Sequence, residues 1–456
     1  MRIHFVAIGG SIMHSLALVM ARKGHAVTGS DDEIYEPSRS RLAAVGLLPE
    51  EMGWHPERIH QGIDMVVLGM HARGDNPELV RAQELGLKIA SFPEFMYEIS
   101  RNKTRVVVAG SHGKTTTSGM LAHVLHHAGR AADRMIGARI GDLEPVAITD
   151  ADTIILEGDE YLSSPLDPRP KFLHYQPQVT IITGIAWDHM NVFPTYASYV
   201  DQFRQLINSL KPSATLIYCA EDADLVALVR RINPSCTVIP YRAHPYHTKE
   251  GKVVIQDDQG NSYPLEIFGS HNLQNLEAAR LATQAIGLPA EAFYQGIQSF
   301  TGAARRLQLL YAKSSITAYL DFAHAPSKVK ATVEAVREKH PNAHLIACLE
   351  LHTFSSLNPA FLPQYKGALA PADVKAVYFS PHTLAIKKLP DLSGDQLAEH
   401  FDAPDLQVVT LSDQMGQIVL DAVEPRETVV LWMSSGRFDG LDLGKVMEAV
   451  EEKIKL

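Results

Sequence analysis

Residues 106–116 read VVVAGSHGKTT, and this stretch decides the fold of the segment around it. Its apolar residues are typical of a buried strand, and the sequence after the second glycine predicts a helix over 115–127 that Gly129 ends. The intervening glycines let backbone N–H groups face an anion, while the helix N-terminus and Lys114 add positive charge. We therefore predict a phosphate-binding loop built from Gly110, Ser111, His112, Gly113, Lys114, Thr115 and Thr116.

The spacing within this loop is shorter than usual, because two residues separate its glycines where the common phosphate loop has four. A glycine-rich turn with an unrelated lysine is one alternative, and a nucleotide switch or kinase-like protein is another. The strand before the loop and the helix after it favour phosphate binding. We expect ATP as the ligand, with the Thr115 hydroxyl placed to bind Mg²⁺.

The N-terminal segment has the pattern of a strand–helix–strand unit. We predict strands over 3–8 and 26–29, with a helix over 13–22 between them that Gly24 ends. A glycine pair, Gly9-Gly10, follows the first strand, and Ser30-Asp31 follows the second, about 20 residues later. This pattern predicts a Rossmann-like domain. It lacks the third glycine of a dinucleotide fingerprint, which disfavours a nicotinamide-dependent oxidoreductase.

Further apolar runs alternate with helical patterns along the rest of the chain. We predict strands at residues 65–68, 153–156, 179–183, 215–218, 317–320, 345–349, 376–379 and 428–433. Such alternation is typical of mostly parallel sheets covered by helices. The predicted fold class is therefore α/β, with three consecutive domains: a Rossmann-like domain over 1–102, a central phosphate-loop ATPase over 103–299 and a Rossmann-like domain over 300–456.

The composition bounds the function. The 456 residues carry a net charge of −10, which argues against a nucleic-acid partner. The three cysteines lie far apart, so no zinc or disulfide spacing is evident. No apolar run approaches the ~20 residues of a membrane span, and the N-terminus does not suit a signal peptide. We expect a cytoplasmic protein without membrane insertion.

Acidic side chains follow two of the predicted strands. Glu157-Gly158-Asp159-Glu160 comes after the strand at 153–156, and Asp188-His189 comes shortly after the strand at 179–183. Ligand sites of α/β sheets lie outside the carboxyl ends of the strands, and Mg²⁺ takes oxygen ligands. A solvated acidic turn is the alternative. The position favours a metal site beside the phosphate loop.

Together these motifs resemble the Mur ligase family of peptidoglycan enzymes over essentially the whole chain. The resemblance implies an ATP-dependent ligase with Mg²⁺ that activates a carboxylate as an acyl phosphate and then forms an amide. It also implies residue roles, which we carry over one position at a time. The catalytic residues would be Lys114, His189 and Arg306, and the metal ligands would be Thr115, Glu157 and His189. The further nucleotide contacts would be Asn272, Asn275, Arg305 and Asp321. The contacts of the UDP-sugar would be Gly10, Ser30, Asp31 and Glu160.

Within the family the chain is most similar to the murein peptide ligase subfamily. The similarity lies in residues 157–161, 167–175, 73–77 and 432–440, and in the bulky Ile12 of the first turn. It implies that UDP-N-acetylmuramate and the peptide L-alanyl-γ-D-glutamyl-meso-diaminopimelate are the substrates. The alternative second substrate is L-alanine.

The chain departs from the family pattern at three places. Gly184 stands where the family usually has Asn, and Ala325 replaces the second His of a His-His-Pro motif. The stretch 351–355, LHTFS, is at least as similar to the L-alanine ligases as to the peptide ligases. These departures bear on the identity of the second substrate and leave both the peptide and L-alanine open. The base that accepts the proton of the amine is expected at His189 or a carboxylate near it.

Overall fold

The computed structural model describes residues 1–70 and 72–455. By their contacts they form two compact units. The first comprises Met1–Ile185, Val200–Arg242 and Glu277–Ile297, and the second comprises Ala186–Tyr199, Ala243–Leu276 and Gln298–Leu456. This division differs from the three domains expected above, whose boundaries stay a prediction. In the described part of the chain, every helix is too short or too polar to cross a membrane.

The first unit begins with a parallel four-stranded sheet in the order β2-β1-β3-β4. The central strands β1 and β3 are almost entirely buried because both faces of the sheet are covered. Gly24 ends the first helix with φ of +84°, a left-handed conformation that glycine adopts without strain. The elements are β1 (Arg2–Val6), α1 (Ser11–Arg22), β2 (Ala26–Ser30), α2 (Ser38–Ala43), β3 (Met65–Leu68), α3 (Pro77–Glu84), β4 (Ile89–Ser91) and α4 (Phe92–Ser100).

A second sheet of this unit has seven strands in the order β13-β12-β11-β5-β8-β6-β7, parallel except for the β6–β7 pair. A short hairpin, β9–β10, stands apart from it. The elements are β5 (Thr104–Ala109), α5 (Lys114–His127), β6 (Asp133–Met135), β7 (Val146–Ala147), β8 (Thr153–Gly158), β9 (Leu162–Ser164), β10 (Asp167–Pro170), α6 (Lys171–His174), β11 (Val179–Ile182), α7 (Tyr196–Ser209), β12 (Thr215–Cys219), α8 (Ala223–Ile232) and β13 (Thr237–Tyr241).

The second unit contains an antiparallel sheet, β14-β15-β16, and a six-stranded sheet in the order β17-β18-β22-β19-β20-β21. In the larger sheet β17 is antiparallel to β18 and the other pairs are parallel. Two helices, α9 (Ser270–Ala285) and α10 (Ala290–Ile297), follow β16 in sequence, and the end of α9 and all of α10 belong to the first unit. The other elements from residue 246 onwards are β14 (Tyr246–Lys249), β15 (Lys252–Gln256), β16 (Ser262–Leu265), β17 (Gln308–Lys313), β18 (Ile316–Asp321), α11 (Pro326–Lys339), β19 (His344–Leu351), β20 (Val374–Phe379), α12 (Pro381–Lys387), α13 (Gly394–Phe401), β21 (Gln407–Val409), α14 (Ser412–Ala422), β22 (Thr428–Met433) and α15 (Leu443–Lys455).

The α/β class with mostly parallel sheets is confirmed, and the strands predicted at 65–68 and 428–433 have those bounds. Several other predicted boundaries differ from the structure by one or more residues, and two of these differences bear on the sites. The first strand ends at Val6 instead of Ile8, because Ala7 turns the chain with φ of +65°. The strand predicted to end at Leu156 continues to Gly158, so Glu157 is a strand residue rather than part of the following turn.

A buried ionic contact joins the first strand to helix α3. His4 Nε2 lies 3.1 Å from Glu78 Oε2, and both side chains are at most 1% exposed. Burial disfavours the charged carboxylate, but its other interactions, led by the hydrogen bond with His4, outweigh burial and lower the pKa of Glu78. A lowered folded-state pKa stabilises the fold above the unfolded-state pKa of ~4.3, and this stabilisation is lost as pH falls through the folded-state pKa.

We expect Glu78→Gln to lower the free energy of unfolding near neutral pH by roughly 1–3 kcal/mol, because buried donors lose a charged acceptor. The variant should also lose less stability than the parent on acidification, since its side chain no longer titrates. Urea unfolding at neutral pH and at acidic pH measures both effects. Glu57→Gln, whose side chain is 71% exposed, is the control. An unchanged pH dependence in Glu78→Gln would contradict the role of this carboxylate.

Candidate active site

The glycine loop between β5 and α5 contains two backbone conformations that favour glycine. Gly110 and Gly113 have φ of +126° and +76°. A side chain at Gly110 would also place its Cβ 2.8 Å from the backbone nitrogen of Thr183. The neighbouring strand end fixes the loop, because the Thr183 hydroxyl donates to the carbonyl of His112 and Ser111 N donates to the Gly184 carbonyl at 3.0 Å. The backbone N–H groups at the start of α5 are thereby oriented as a group.

The loop lysine is held by carboxylates and by its own loop. Lys114 Nζ lies 2.7 Å from the Gly110 carbonyl and 3.1 Å from Glu160 Oε2, with Asp159 Oδ1 at 3.8 Å. Its side chain is 14% exposed. Burial alone would lower the pKa of Lys114, but the nearby carboxylates, Glu160 foremost, raise it above its usual value. The ammonium group is therefore charged at neutral pH.

A second lysine extends this ionic network. Lys171 Nζ lies 3.1 Å from Asp159 Oδ2 and 4.3 Å from the centre of the Tyr161 ring. Burial would raise the pKa of Asp159, but Lys171 and Lys114 together lower it. Asp159 thus stays ionised between two ammonium groups and couples the Lys171 side chain to the phosphate loop.

Three oxygen atoms form a small cradle beside the loop. Thr115 Oγ1 donates to Glu157 Oε2 at 3.1 Å, and Glu157 Oε1 accepts a hydrogen bond of 2.6 Å from Gly137 N. A Cβ atom at Gly137 would lie 3.2 Å from both Thr115 Oγ1 and Glu157 Oε2. Hydroxyl and carboxylate oxygens are the ligands that Mg²⁺ takes, so these residues fit a magnesium ion.

The residues predicted to contact the UDP-sugar are placed differently from one another. Asp31 Oδ2 accepts from Gly9 N at 2.7 Å, so the first glycine turn and this carboxylate do lie together, with Gly10 preceding α1. Ser30 has a fully buried side chain. Glu160 is 1% exposed and paired with Lys114. In this structure Ser30 and Glu160 therefore present no exposed side chain to a sugar.

In the second unit, Asp188 is the centre of a charged group. Asp188 Oδ2 accepts from Lys328 Nζ at 3.0 Å. Burial would raise the pKa of Asp188, but Lys328, His189 and His324 hold it well below its usual range. Burial and the Lys328 charge lower the pKa of His324 to about 4, so its imidazole is neutral near pH 7. His189 itself has a φ of +54°, an unusual conformation for a residue with a side chain.

The predicted nucleotide contacts Arg305 and Asp321 and the predicted catalytic residue Arg306 also lie in the second unit. Arg305 Nη2 donates to the carbonyls of Ser434 and Gly436 at 2.9 and 2.6 Å. The Arg306 guanidinium lies 4.4 Å from the centre of the Phe322 ring. Asp321 accepts from the backbone of residues 307 and 323 at 2.7 and 2.6 Å. Arg305 and Asp321 are thus already engaged in shaping the loops at the ends of β18 and β22.

The two predicted asparagine contacts are buried near the start of α9. Asn272 Nδ2 donates to the Phe268 carbonyl at 2.8 Å, four residues earlier. Asn275 is 6% exposed and lies one helical turn after Asn272. The structure places Asn272 in the helix start and leaves its nucleotide contact a prediction.

Comparison with known proteins identifies the family. A model of the Mur ligase middle domain matches residues 108–283, and a model described as the Mur ligase family catalytic domain matches residues 2–104. A UDP-N-acetylmuramate–L-alanine ligase of Lacticaseibacillus paracasei is 31% identical over 81% of this chain and 82% of that protein. The chain belongs to the Mur ligase family. It is an ATP-dependent ligase that forms amide bonds in peptidoglycan synthesis.

Other relatives of this Mur ligase include both peptide ligases and L-alanine ligases. The UDP-N-acetylmuramate–L-alanyl-gamma-D-glutamyl-meso-2,6-diaminoheptandioate ligase of Escherichia coli is 30% identical over 77% of this chain and 79% of that protein. A murein peptide ligase structure from Psychrobacter arcticus covers 99% of this chain and 98% of its own, with a TM-score of 0.67 and 23% identity. The UDP-N-acetylmuramate–alanine ligase structure from Thermotoga maritima covers 100% of this chain and 98% of its own, with a TM-score of 0.71 and 20% identity. Because these two solved structures are less than 25% identical to the chain, they show a shared fold and do not decide the substrate.

Three residues of this Mur ligase were missed by the sequence reasoning. Gly137 touches the oxygen cradle although it lies 20 residues from Glu157, and no local pattern marks it. Lys171 lies within residues 167–175, and the similarity of this stretch to the peptide ligases was the signal that could have indicated it. Lys328 lies in the first turn of α11, four positions after His324, and its nearness to the His-Ala-Pro motif was the available signal.

We expect Gly137→Ala to weaken the apparent Mg²⁺ affinity of the ligase about 10-fold, the lower end of the effect of residues that orient metal ligands. The reason is the crowding of Thr115 and Glu157 by the new methyl group. Turnover measured against Mg²⁺ concentration at fixed ATP reports the change. Gly394→Ala is a matched control, because its Cβ would make an ordinary 3.6 Å contact with Val408. Equal Mg²⁺ dependence in both variants would contradict the cradle.

Proposed function

We propose that this Mur ligase joins UDP-N-acetylmuramate to the peptide L-alanyl-γ-D-glutamyl-meso-diaminopimelate at the expense of ATP, releasing ADP and phosphate. The observation that carries the proposal is the convergence of Lys114, Thr115 and Glu157 at the start of α5, with the 157–175 segment packed against the loop lysine through Glu160. The first three residues serve the ATP half-reaction. The 157–175 segment contains the stretches that are similar to the peptide ligases.

In the first half-reaction, a carboxylate oxygen of UDP-N-acetylmuramate attacks the γ-phosphorus of ATP, giving an acyl phosphate and ADP. The loop N–H groups and Lys114 hold the phosphate oxygens and stabilise the charge that they carry during transfer. A Mg²⁺ ion held by Thr115 and Glu157 would supply further neutralisation of that charge, and the role of His189 as a metal ligand stays a prediction. Lys114 has to exchange Glu160 for phosphate when ATP binds, because its Nζ now lies 3.1 Å from that carboxylate.

In the second half-reaction, the neutral α-amine of the peptide attacks the acyl carbon, and phosphate leaves with one oxygen of the original carboxylate. The amine must lose a proton, for which we propose His189 as acceptor, because the ion pair with Lys328 holds the pKa of the adjacent Asp188 well below its usual range and makes that carboxylate a weak base. The proposed nucleotide contacts are Arg305, Asn272, Asn275 and Asp321, and Arg306 is proposed as a catalytic residue that faces the phosphates. Gly10 and Asp31 are proposed as contacts of the UDP group. Ser30 would contribute through its backbone.

Two observations support the peptide as the second substrate. The hairpin β9–β10 and helix α6 are formed by residues 162–174, the segment that contains most of the peptide-ligase stretch. Its Lys171 places a buried cation against Asp159. A substrate that carries several carboxylates benefits from fixed cations near its binding site, which a single alanine needs less.

L-alanine is the second candidate, and a specific observation favours it. The relative from Lacticaseibacillus paracasei at 31% identity is named as an L-alanine ligase, and residues 351–355 are at least as similar to that subfamily. The chemistry is the same with a smaller amine. Both candidates predict the same phosphate-loop behaviour, so the amine alone distinguishes them.

Phosphate release from Mg-ATP with UDP-N-acetylmuramate tests the proposal, with L-alanine in one tube and the tripeptide in another. Release that requires the tripeptide supports the proposed function. Release with L-alanine instead would assign the chain to the second candidate. Phosphate release that needs an amine but does not need UDP-N-acetylmuramate would exclude UDP-N-acetylmuramate as the carboxylate substrate, whichever amine is used. Tubes without either amine give the background of ATP hydrolysis.

A further inference from the structure

A group of potential metal ligands lies outside the residues assigned to ATP. Glu94, Asp167 and His174 each offer one ligand atom, and these atoms all lie within 4.8 Å of one another. They come from three elements of the first unit: the first turn of α4, the start of β10 and the end of α6. His174 Nε2 lies 3.2 Å from Asp167 Oδ2. We propose that these three residues bind a Zn²⁺ ion that is distinct from the magnesium of the ATP reaction.

The imidazole provides an independent reason to expect a ligand. His174 is 8% exposed, and its Nε2 atom is buried without a hydrogen-bond partner of acceptable geometry. A buried polar atom that lacks a partner is costly, and a metal ion satisfies an imidazole nitrogen. The nitrogen lies 3.2 Å from the Asp167 carboxylate, whose charge Glu94 adds to and the Arg169 guanidinium partly offsets.

The ligand set selects the kind of metal. One imidazole and two carboxylates suit zinc, whose bonds of about 2.0–2.2 Å place neighbouring ligand atoms of a tetrahedral site roughly 3.3 Å apart. The observed spacing of up to 4.8 Å requires a small contraction. The Glu94 side chain can supply it by rotation, because its Oε2 holds the helix cap while Oε1 has no such role.

Access and charge are compatible with this ion. A cavity of about 360 Å³, lined by Glu94, Arg169 and His174 among others, gives it an entry path. Asp167 also pairs with Arg169, whose Nη2 lies 2.6 Å from Oδ2. The metal would therefore share one carboxylate with a guanidinium, and a water molecule would complete its coordination. Such an ion would fasten helix α4 to the segment that contains Lys171.

The test uses the full chain, stripped of metals with a chelator and kept in excess Mg²⁺. Zn²⁺ is titrated against a chromophoric chelator, and thermal unfolding is followed with and without Zn²⁺. We expect tight binding of Zn²⁺ and a rise in the unfolding temperature. Glu94→Gln and His174→Gln should each weaken binding at least about 10-fold and remove the rise. Gln at position 94 retains the helix cap, because Gln serves in a capping box as Glu does.

His247→Gln, at an exposed histidine in β14, is the matched control and should bind Zn²⁺ as the parent does. Identical titrations for the parent and His174→Gln would overturn the proposal. If the variants do not fold, the visible spectrum of the parent loaded with Co²⁺ tests the proposed ligand set instead. Tetrahedral bands without thiolate charge transfer support the site, while a weak octahedral spectrum or a thiolate band overturns it.

Discussion

Replacing Lys114 with alanine is expected to lower kcat by at least about 10²–10³-fold, the cost of removing one strong donor from a transition state. The ammonium group is buried in the phosphate loop, and three carboxylates keep it charged. Its loss leaves the charge of the transferring phosphoryl group to the backbone N–H groups and any bound metal. Steady-state phosphate release at saturating ATP measures kcat, and the exposed Lys445→Ala variant, 82% exposed in the parent, is the control.

Lys114→Ala also leaves Glu160 without its cation, and a buried unpaired carboxylate destabilises a protein. The double variant Lys114→Met/Glu160→Gln removes both charges and separates this effect from catalysis. We expect the double variant to regain stability in thermal unfolding but to remain at least about 10²-fold slow. Near-normal turnover in a folded Lys114 variant would refute the phosphate-loop assignment.

The second large effect is expected at the oxygen cradle. Glu157→Gln should weaken the apparent Mg²⁺ affinity by at least about 10²-fold, more than the 10–100-fold span of residues that merely orient ligands. The variant keeps the shape of the side chain and its hydrogen bond from Gly137, but it loses the negative charge that attracts the cation. Turnover as a function of Mg²⁺ concentration measures the change.

High Mg²⁺ should partly restore the turnover of Glu157→Gln, whereas it should leave Lys114→Ala slow, because the lysine acts on phosphate. Glu57→Gln, with a side chain that is 71% exposed in the parent, is the control. A Glu157→Gln enzyme with the Mg²⁺ dependence of the parent would remove Glu157 from the metal site. A loss that Mg²⁺ does not relieve would indicate a role in packing instead.

The phosphate loop could be predicted because all of its signals are local. A buried strand, two glycines and a helix start follow one another between Thr104 and Lys114, and the structure places α5 within one residue of the predicted helix. The meeting of Thr115 and Glu157 was also within reach, since the carboxyl ends of parallel strands share one edge of the sheet.

The contacts that were missed depend on tertiary packing. Asp188 and Lys328 are 140 positions apart, and no periodicity links them. The antiparallel strands β14–β16 escaped notice because their exposed faces are polar and their apolar run, residues 253–255, is short. Glu160 was expected at the sugar, but in the structure its carboxylate pairs with Lys114 inside the protein.

The most direct test of the account uses UDP-N-acetylmuramate labelled with ¹⁸O in its lactyl carboxylate, incubated with Mg-ATP and an equimolar mixture of L-alanine and the tripeptide. Mass spectrometry of both products follows the bond that forms and the oxygen that leaves. The account predicts an amide to the tripeptide and one ¹⁸O atom in the released phosphate. An amide to L-alanine, or phosphate without the label, would contradict it.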